Sequence, residues 1–271
     1  MKAAILFLSY NRREYTMEAL DFLLRNTPVE HDILCYDNGS TDGTAEWVAN
    51  RAEDERDAGR RVFFIGAKQN KGIAKAMNVF FDIYPHVDWY GKVDNDTVVP
   101  EGWLDKLIYA AEAANMDALQ ALHHVMAKPG QTWEDVKKAN KHEKIKVKNH
   151  YLRPDLLRSR SFPDASISSN LSPPVIQVDE IGTVHNFGWC GGSGLVIRQS
   201  YIGENRLRED VQPMAGWVYY RHIHPGRLGI YDGVFVRLLD MEDHGKYKAR
   251  EDYPEYRDEI NRLRGWKTQP T

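Results

Sequence analysis

Between residues 3 and 94, four short apolar runs alternate with stretches of helical spacing, and the polar clusters of the region gather at the ends of those runs. Ala3 to Leu8 is the first run, and it ends at Ser9-Tyr10-Asn11. Met17, Leu20, Leu23 and Leu24 then recur every three to four residues, the spacing of one helix face. Asp32 to Tyr36 is the second run, ending in Asp37-Asn38-Gly39-Ser40-Thr41-Asp42-Gly43-Thr44, where Ser40 or Asp42 could cap the helix that begins with Ala45, Trp47 and Val48. Val62 to Ile65 is the third, and Gly72 opens a helix through Ile73, Ala76, Met77 and Phe80. The fourth, Val87 to Val93, runs into Asp94-Asn95-Asp96, with Pro100 placed to open another helix. Strands that alternate with helices predict a parallel sheet covered on both faces. Ligands of such sheets bind beyond the carboxyl ends of the strands.

Asp94-Asn95-Asp96 carries the sharpest chemistry. If the strand continues through it, residues two apart point to one side and present two carboxylates together. Like charges that close need a cation or a shared proton between them. A site with oxygen ligands alone suits Mg2+ or Mn2+, held by one or two carboxylates and completed by substrate phosphates. Alone, the same triplet also reads as an ordinary polar loop.

Taken together, Leu8-Ser9-Tyr10-Asn11-Arg12, Tyr36 to Thr44, Asn70-Lys71-Gly72-Ile73-Ala74 with Asn78, and Val93-Asp94-Asn95-Asp96 resemble, in order and approximate spacing, the family 2 glycosyltransferases. The resemblance covers roughly the first 115 residues well, weakens to about residue 250 and is absent beyond. It implies an α/β fold of the GT-A type: a mostly parallel central sheet flanked by helices, with a Rossmann-like nucleotide-binding half fused to an acceptor-binding half. It implies donor-binding roles for Ser9, Asn11, Asp37, Asn70, Gly72, Asp94, Asn95 and Gly192. The Asp37 carboxylate would contact uridine. Each residue also has a plainer reading. Asp37 before Asn38-Gly39 can build a turn, Asn11 can cap a helix, and Gly72 with Lys71 can be a turn rather than a phosphate cradle.

The second half must supply the rest. Val184 to Arg198 reads as strand, glycine-rich turn and strand, with Trp189 either stacked on a sugar or in the core. Gly229 to Arg237 looks like the family's acidic motif that opens a helix and carries the catalytic base. Tyr231 stands where the first acid is usual, which leaves Asp232 as the base, or as a helix N-cap. The resemblance also implies a histidine in the metal shell together with Asp94 and Asp96. His244 is the expected one, and His222 and His224, alternating on one strand face, are rivals.

Composition bounds the remainder. With 271 residues, 42% of them hydrophobic, the expected arrangement is one domain. Residues 1–115 would form the nucleotide-sugar half, 116–250 the acceptor and catalytic half, and 251–271 a C-terminal helix with Tyr256, Ile260 and Leu263 at helical spacing. No segment reaches the length of a membrane span, and strand-like sequence from residue 3 leaves no room for a signal peptide. Cys35 and Cys190 lie far apart in apolar surroundings and read as reduced core thiols of a cytoplasmic protein. Glycine patterns of a dinucleotide fold, a P-loop and a calcium loop are all absent.

The net charge of −3 hides an asymmetry: Lys137 to Arg160 carries nine cations against Glu143 and Asp155, a net +7 that leaves −10 for the rest. Such a segment is either a solvated face or a surface for an anionic acceptor or an anionic membrane, with lipid-linked or cell-wall glycan and modified DNA all open as acceptors. The resemblance as a whole implies a Mn2+- or Mg2+-dependent transferase of the hexosyl or N-acetylhexosaminyl class. It would move a sugar from a UDP-sugar to a hydroxyl with inversion; a nucleotide-sugar-binding protein without transfer is the alternative.

Overall fold

A computed structural model describes residues 2–124, 175–178, 183–186, 192–210, 220, 224 and 226–238. The expected first three strands are present as β1 (Ala3–Ser9), β2 (Asp32–Asp37) and β3 (Val62–Gly66), and the fourth as β4 (Trp89–Asp94). The intervening helices are α1 (Arg13–Asn26), α2 (Thr44–Asp57) and α3 (Gly72–Ile83). Then follow β5 (Thr97–Val98), α4 (Trp103–Ala113), β6 (Ala118–His124), β7 (Val175–Gln177), β8 (Thr183–Asn186), β9 (Leu195–Arg198), the short α5 (Gln199–Ile202) and β10 (Leu228–Leu238). The helix expected at Pro100 begins three residues later, after Gly102 in the left-handed region at φ 66°, with the Trp103 amide donating to the Pro100 carbonyl at 3.2 Å.

All ten strands join one sheet in the order β3-β2-β1-β4-β9-β6-β10-β8-β7, with β5 on the end of β10. Pairing is parallel from β3 to β4 and between β6 and β10, and antiparallel at β9, β8, β7 and β5. β9 therefore enters between β4 and β6 against their direction, while β4 and β6 themselves point the same way. The carboxyl ends of β1, β2, β4, β6 and β10 consequently share one edge of the sheet.

Side-chain alternation explains why β1 is buried on both faces. All seven of its residues are buried. Ala3, Ile5 and Phe7 face one core with Ala19, Leu20, Leu23 and Leu24 of α1 and Trp103, Leu104 and Leu107 of α4. Ala4, Leu6 and Leu8 face the other with Ala74, Met77, Phe80 and Phe81 of α3. Each such aliphatic or aromatic side chain contributes about 1.5 to 3 kcal/mol by leaving water. A strand buried on both faces is the continuous apolar run of the sequence.

The segment Lys137–Arg160, the C-terminal stretch 251–271, Trp189, Cys190, His222 and His244 lie outside the described residues. Cys35 is a buried free thiol, pushed up to about 12 by burial and then by the charge of Glu55. Among the described residues, no helix is long and apolar enough to cross a membrane.

Candidate active site at the carboxyl edge of the sheet

The loop after β2 is built around Asp37. Its side chain is fully buried. Oδ1 accepts from the amides of Gly39 (3.0 Å) and Ser40 (2.8 Å), and Oδ2 from the hydroxyls of Ser9 (2.9 Å) and Ser40 (2.5 Å). A carboxylate has about four lone-pair sites, and four donors occupy them. The carboxylate expected to meet uridine thus organises its own loop. Ser9, its partner, is buried too.

Three loops interlock around this hub. Asn11 does not cap α1: its Oδ1 accepts the Thr41 amide at 2.8 Å, and its own amide donates to Ser40 Oγ at 2.7 Å. Asn11 and Arg12 both adopt positive φ, at 52° and 61°, a strain that persists where surroundings over-determine it. Asn38 Oδ1 accepts the Lys71 amide at 2.8 Å, tying the β2 loop to the start of α3. Gly39 makes the closest approach: a Cβ there would stand 2.6 Å from the Gln69 backbone, and its φ is +85°. Asn70 is exposed, and its Oδ1 accepts the Gly72 amide at 2.9 Å. The amide expected to cradle a phosphate is therefore engaged by its neighbour's side chain. Of the two suggested caps for α2, Ser40 serves Asp37 and Asn11. Asp42 is the one that holds the first turn, accepting from the Thr44 amide (3.1 Å) and hydroxyl (2.6 Å).

At the motif itself β4 stops at Asp94, and Asn95 and Asp96 form the turn into β5. The two carboxylates are not neighbours on one strand face. A separate cation meets each: Lys92 Nζ lies 2.5 Å from Asp94 Oδ1, and Arg12 Nη1 lies 3.1 Å from Asp96 Oδ2. Asn95 turns inward instead. It is buried, and its amide donates to the Asn11 carbonyl and to Thr16 Oγ1, both at 2.8 Å. The side chain expected on the donor thus fastens the motif to α1.

Gly192 and Ser193 bring the far half to the same point. The Lys92 ammonium also donates to the Gly192 carbonyl. Ser193 Oγ accepts the Asp94 amide at 2.9 Å and donates to Thr97 Oγ1 at 2.8 Å. The order of strands explains the meeting: Lys92 pairs with Leu195 on β9, so the residues just before β9 fall beside the end of β4.

Asp232 is placed differently from expectation. It lies inside the eleven-residue β10 and opens no helix. Tyr231 pairs with Ala121, but the next pair is Phe235 with Leu122, so Asp232, Gly233 and Val234 form a bulge opposite no extra residue of β6. Bulges re-aim side chains and gather near active sites. Beyond the bulge β10 pairs with β5, Leu238 opposite Thr97, next to Asp96. The rival His224 lies in a bend rather than a strand, and its ring packs on Tyr220 with centroids 4.5 Å apart.

For a divalent ion, Asp94 and Asp96 would offer hard oxygen donors of the kind Mg2+ or Mn2+ takes, one or two carboxylates with phosphate oxygens and water completing the shell. Among the described residues no group of three or more His, Cys, Asp or Glu is poised to hold a metal, and a two-carboxylate site needs none.

The sequence profile of glycosyl transferase family 2 matches residues 5–164, which include every motif residue from Ser9 to Asp96. The chain belongs to glycosyl transferase family 2. No curated protein matches it by sequence. Among solved structures, S. aureus TarS 1–349 superposes on 97% of this chain and 65% of its own, at 15% identity and a TM-score of 0.57. The same fragment has also been solved in complex with UDP-GlcNAc. The mannosyltransferase PcManGT from Pyrobaculum calidifontis, in complex with GDP-Man and Mn2+, superposes on 99% of this chain and 66% of its own, at 14% identity and a TM-score of 0.59. GalNAc-T7 with UDP, GalNAc and Mn2+ covers 88% of this chain and 43% of its own, at 12% identity and 0.57. At such identities the likeness is one of fold, and it is the GT-A fold. This family member spans about two thirds or less of the length of those neighbours.

Sequence reasoning overlooked Lys92, Arg12, Ser193 and Thr97. Lys92 did leave a signal: it is the lone cation in an apolar strand, two residues before Asp94 and so on the same face. Arg12 follows Ser9-Tyr10-Asn11 directly, with no pattern in the sequence to pair it with Asp96. Ser193 and Thr97 left none, because their meeting depends on where β9 enters the sheet.

Proposed function

We propose that this chain is a glycosyltransferase that moves a hexosyl or N-acetylhexosaminyl group from a UDP-sugar to an acceptor hydroxyl with inversion. The observation that carries the reading is the position of Asp94 and Asp96. They stand at the carboxyl edge of the sheet, beside the interlocked loops of β1, β2 and α3, where ligands of open α/β sheets bind. Residues 1–115 form the donor half in this reading, 116–250 the acceptor half, and 251–271 a closing helix.

Asp94 and Asp96 hold Mn2+ or Mg2+, with His244 as a further ligand; when bound, the ion supplies positive charge for the departing diphosphate. The loops around Ser9, Asn11, Asp37, Asn70 and Gly72 shape the wall on which the nucleotide rests, and Gly192 borders the sugar. The Asp232 carboxylate takes the proton of the acceptor hydroxyl as its oxygen bonds to the anomeric carbon. The bond from that carbon to the diphosphate oxygen breaks on the opposite face, and UDP leaves with the electron pair. Lys137 to Arg160 contacts an anionic acceptor, a lipid-linked or other glycan; DNA is the alternative its charge admits. Replacing Lys144, Lys146 and Lys148 with Gln raises acceptor KM at low salt and leaves donor affinity unchanged; the effect shrinks as salt rises, because screening acts over about 8 Å at physiological ionic strength. A cytoplasmic setting, where thiols stay reduced, accords with the free thiol of Cys35.

A second reading, a nucleotide-sugar-binding protein without transfer, draws on the strand found where a helix should present Asp232. A panel of nucleotide sugars with and without Mn2+ separates the cases. UDP-sugars raise Tm by mass action, and slow acceptor-free hydrolysis of the same sugar with Mn2+ marks a transferase. Stabilisation without hydrolysis selects the binding protein, and no shift from any nucleotide sugar overturns both.

A further inference from the structure

Lys92 is the one charged residue of β4 that points into the sheet's packing, with 2% of its surface exposed between Leu6 and Leu195. A buried ammonium costs free energy unless it is paired and hydrogen-bonded. Here its partners are Asp94 and the Gly192 carbonyl. An apolar side chain of the same volume fills such a position at no cost to packing, and often with a gain. Packing therefore does not account for the charge. Its partner does: the carboxylate it meets is the first of the two at the motif, and Ser193, next to its other partner, holds the amide of the same Asp94.

We propose that Lys92 is a positioning residue that acts as a resident cation on Asp94, lowering the affinity of the motif for a divalent ion and tying that carboxylate to the Gly192–Ser193 turn. The proposal rests on Asp94 as a divalent ligand. An ion arriving at Asp94 meets a carboxylate whose charge is already partly answered, and it must compete with the ammonium for the oxygen. As the ion takes Asp94, Lys92 keeps its bond to Gly192, so the turn stays in register with β4 while the carboxylate changes partner. Ion loading at this site is thereby made dependent on a second source of negative charge, the diphosphate of a donor. The fold thus has a reason to place a lysine in a strand whose other residues before Asp94 are apolar.

The test is Mn2+ binding itself, followed by electron paramagnetic resonance of the free ion during titration into the full chain, without and with UDP. Lys92→Gln keeps hydrogen-bonding capacity and removes the charge. The expected result is Mn2+ affinity raised roughly tenfold or more without UDP, the scale of one charge-assisted hydrogen bond, with a smaller gain when UDP is present. Ser193→Ala loosens the same turn but keeps the ammonium, and it leaves Mn2+ affinity no tighter than in the wild type. A purely structural lysine predicts equal or weaker Mn2+ binding in Lys92→Gln, and that result overturns the proposal. Lys92→Met, of similar length and apolar, is the second variant; failure of both to fold overturns it as well, by showing that the charge is needed for the sheet. If the wild type binds Mn2+ and neither Lys92 variant binds it more tightly, only this inference fails. If no form binds Mn2+ with or without UDP, the metal reading of Asp94 fails with it.

Discussion

On the first side of the sheet, the loops after β1, β2 and β3 are closed by one another's side chains. Asp37, Asn38, Asn11 and Asn70 each satisfy backbone amides within or between those loops. On the far side, beyond β4, the same edge is assembled from strands that arrive from distant parts of the chain. β9 inserts against its neighbours, and β10 bulges at Asp232 before crossing to β5. The two regions use polar residues for different ends. The first spends them on a rigid frame, and the second brings them to the motif through strand register. A polar cluster at a strand end is therefore weak evidence of ligand contact until its own hydrogen bonds are counted.

The largest expected effect probes the frame. Asp37→Ala removes the acceptor of four buried or half-buried donors, and leaving such groups unsatisfied is among the costliest single changes. We expect a loss of about 4 kcal/mol in the free energy of unfolding, read from the urea midpoint at unchanged slope. A loss under about 1 kcal/mol, within the range of an ordinary surface change, with nucleotide affinity abolished, would return Asp37 to direct ligand contact and erase the contrast between the two regions.

The next effect probes the far side. Asp232→Asn is expected to lower kcat by roughly 10²-fold, the usual scale for losing a general base, while donor affinity holds. If affinity falls and kcat does not, the bulge of β10 serves binding rather than proton transfer.

These two residues also mark what could be read from the chain alone. The alternation of β1 to β4 with their helices was legible, since each strand is a continuous apolar run and each helix has its own period. The polar clusters were located correctly. Their own hydrogen bonds were not: Asp37 and Asn95 are buried and bonded within the loops, and nothing in a linear pattern tells an inward carboxylate or amide from an outward one. Asp94 and Asp96 were expected on one strand face, but β4 stops between them. Asp232 was expected at a helix start. The strand that leads into it is instead held by pairing with β6 and β8, strands more than forty residues away in sequence. Lys92 could have been suspected as a charge among apolar residues. Its partner Gly192, one hundred residues distant, could not.

A smaller effect sharpens the frame's local chemistry. Burial alone would raise the Asp42 carboxyl, but hydrogen bonds from Thr44 and the Arg13 amide outweigh it and hold it below the usual value of 3.8. A depressed value means that stability from the ionised form is present above 3.8 and is lost as pH falls through the lowered pKa. Asp42→Ala should cost about 1 kcal/mol near neutral pH, as losing a helix-start acceptor does. Its deficit against the wild type should shrink in acid. A deficit that grows in acid would reverse the sign of this assignment.

The central claim is that Asp94 and Asp96 form a divalent-ion and diphosphate site. Calorimetric titration of UDP into the wild type and Asp96→Asn, each with and without Mn2+, tests it most directly. The account predicts that Mn2+ tightens UDP binding to the wild type, and that the variant, still folded, loses most of that gain while keeping its Mn2+-independent affinity. Equal Mn2+-dependent tightening in both proteins would contradict it.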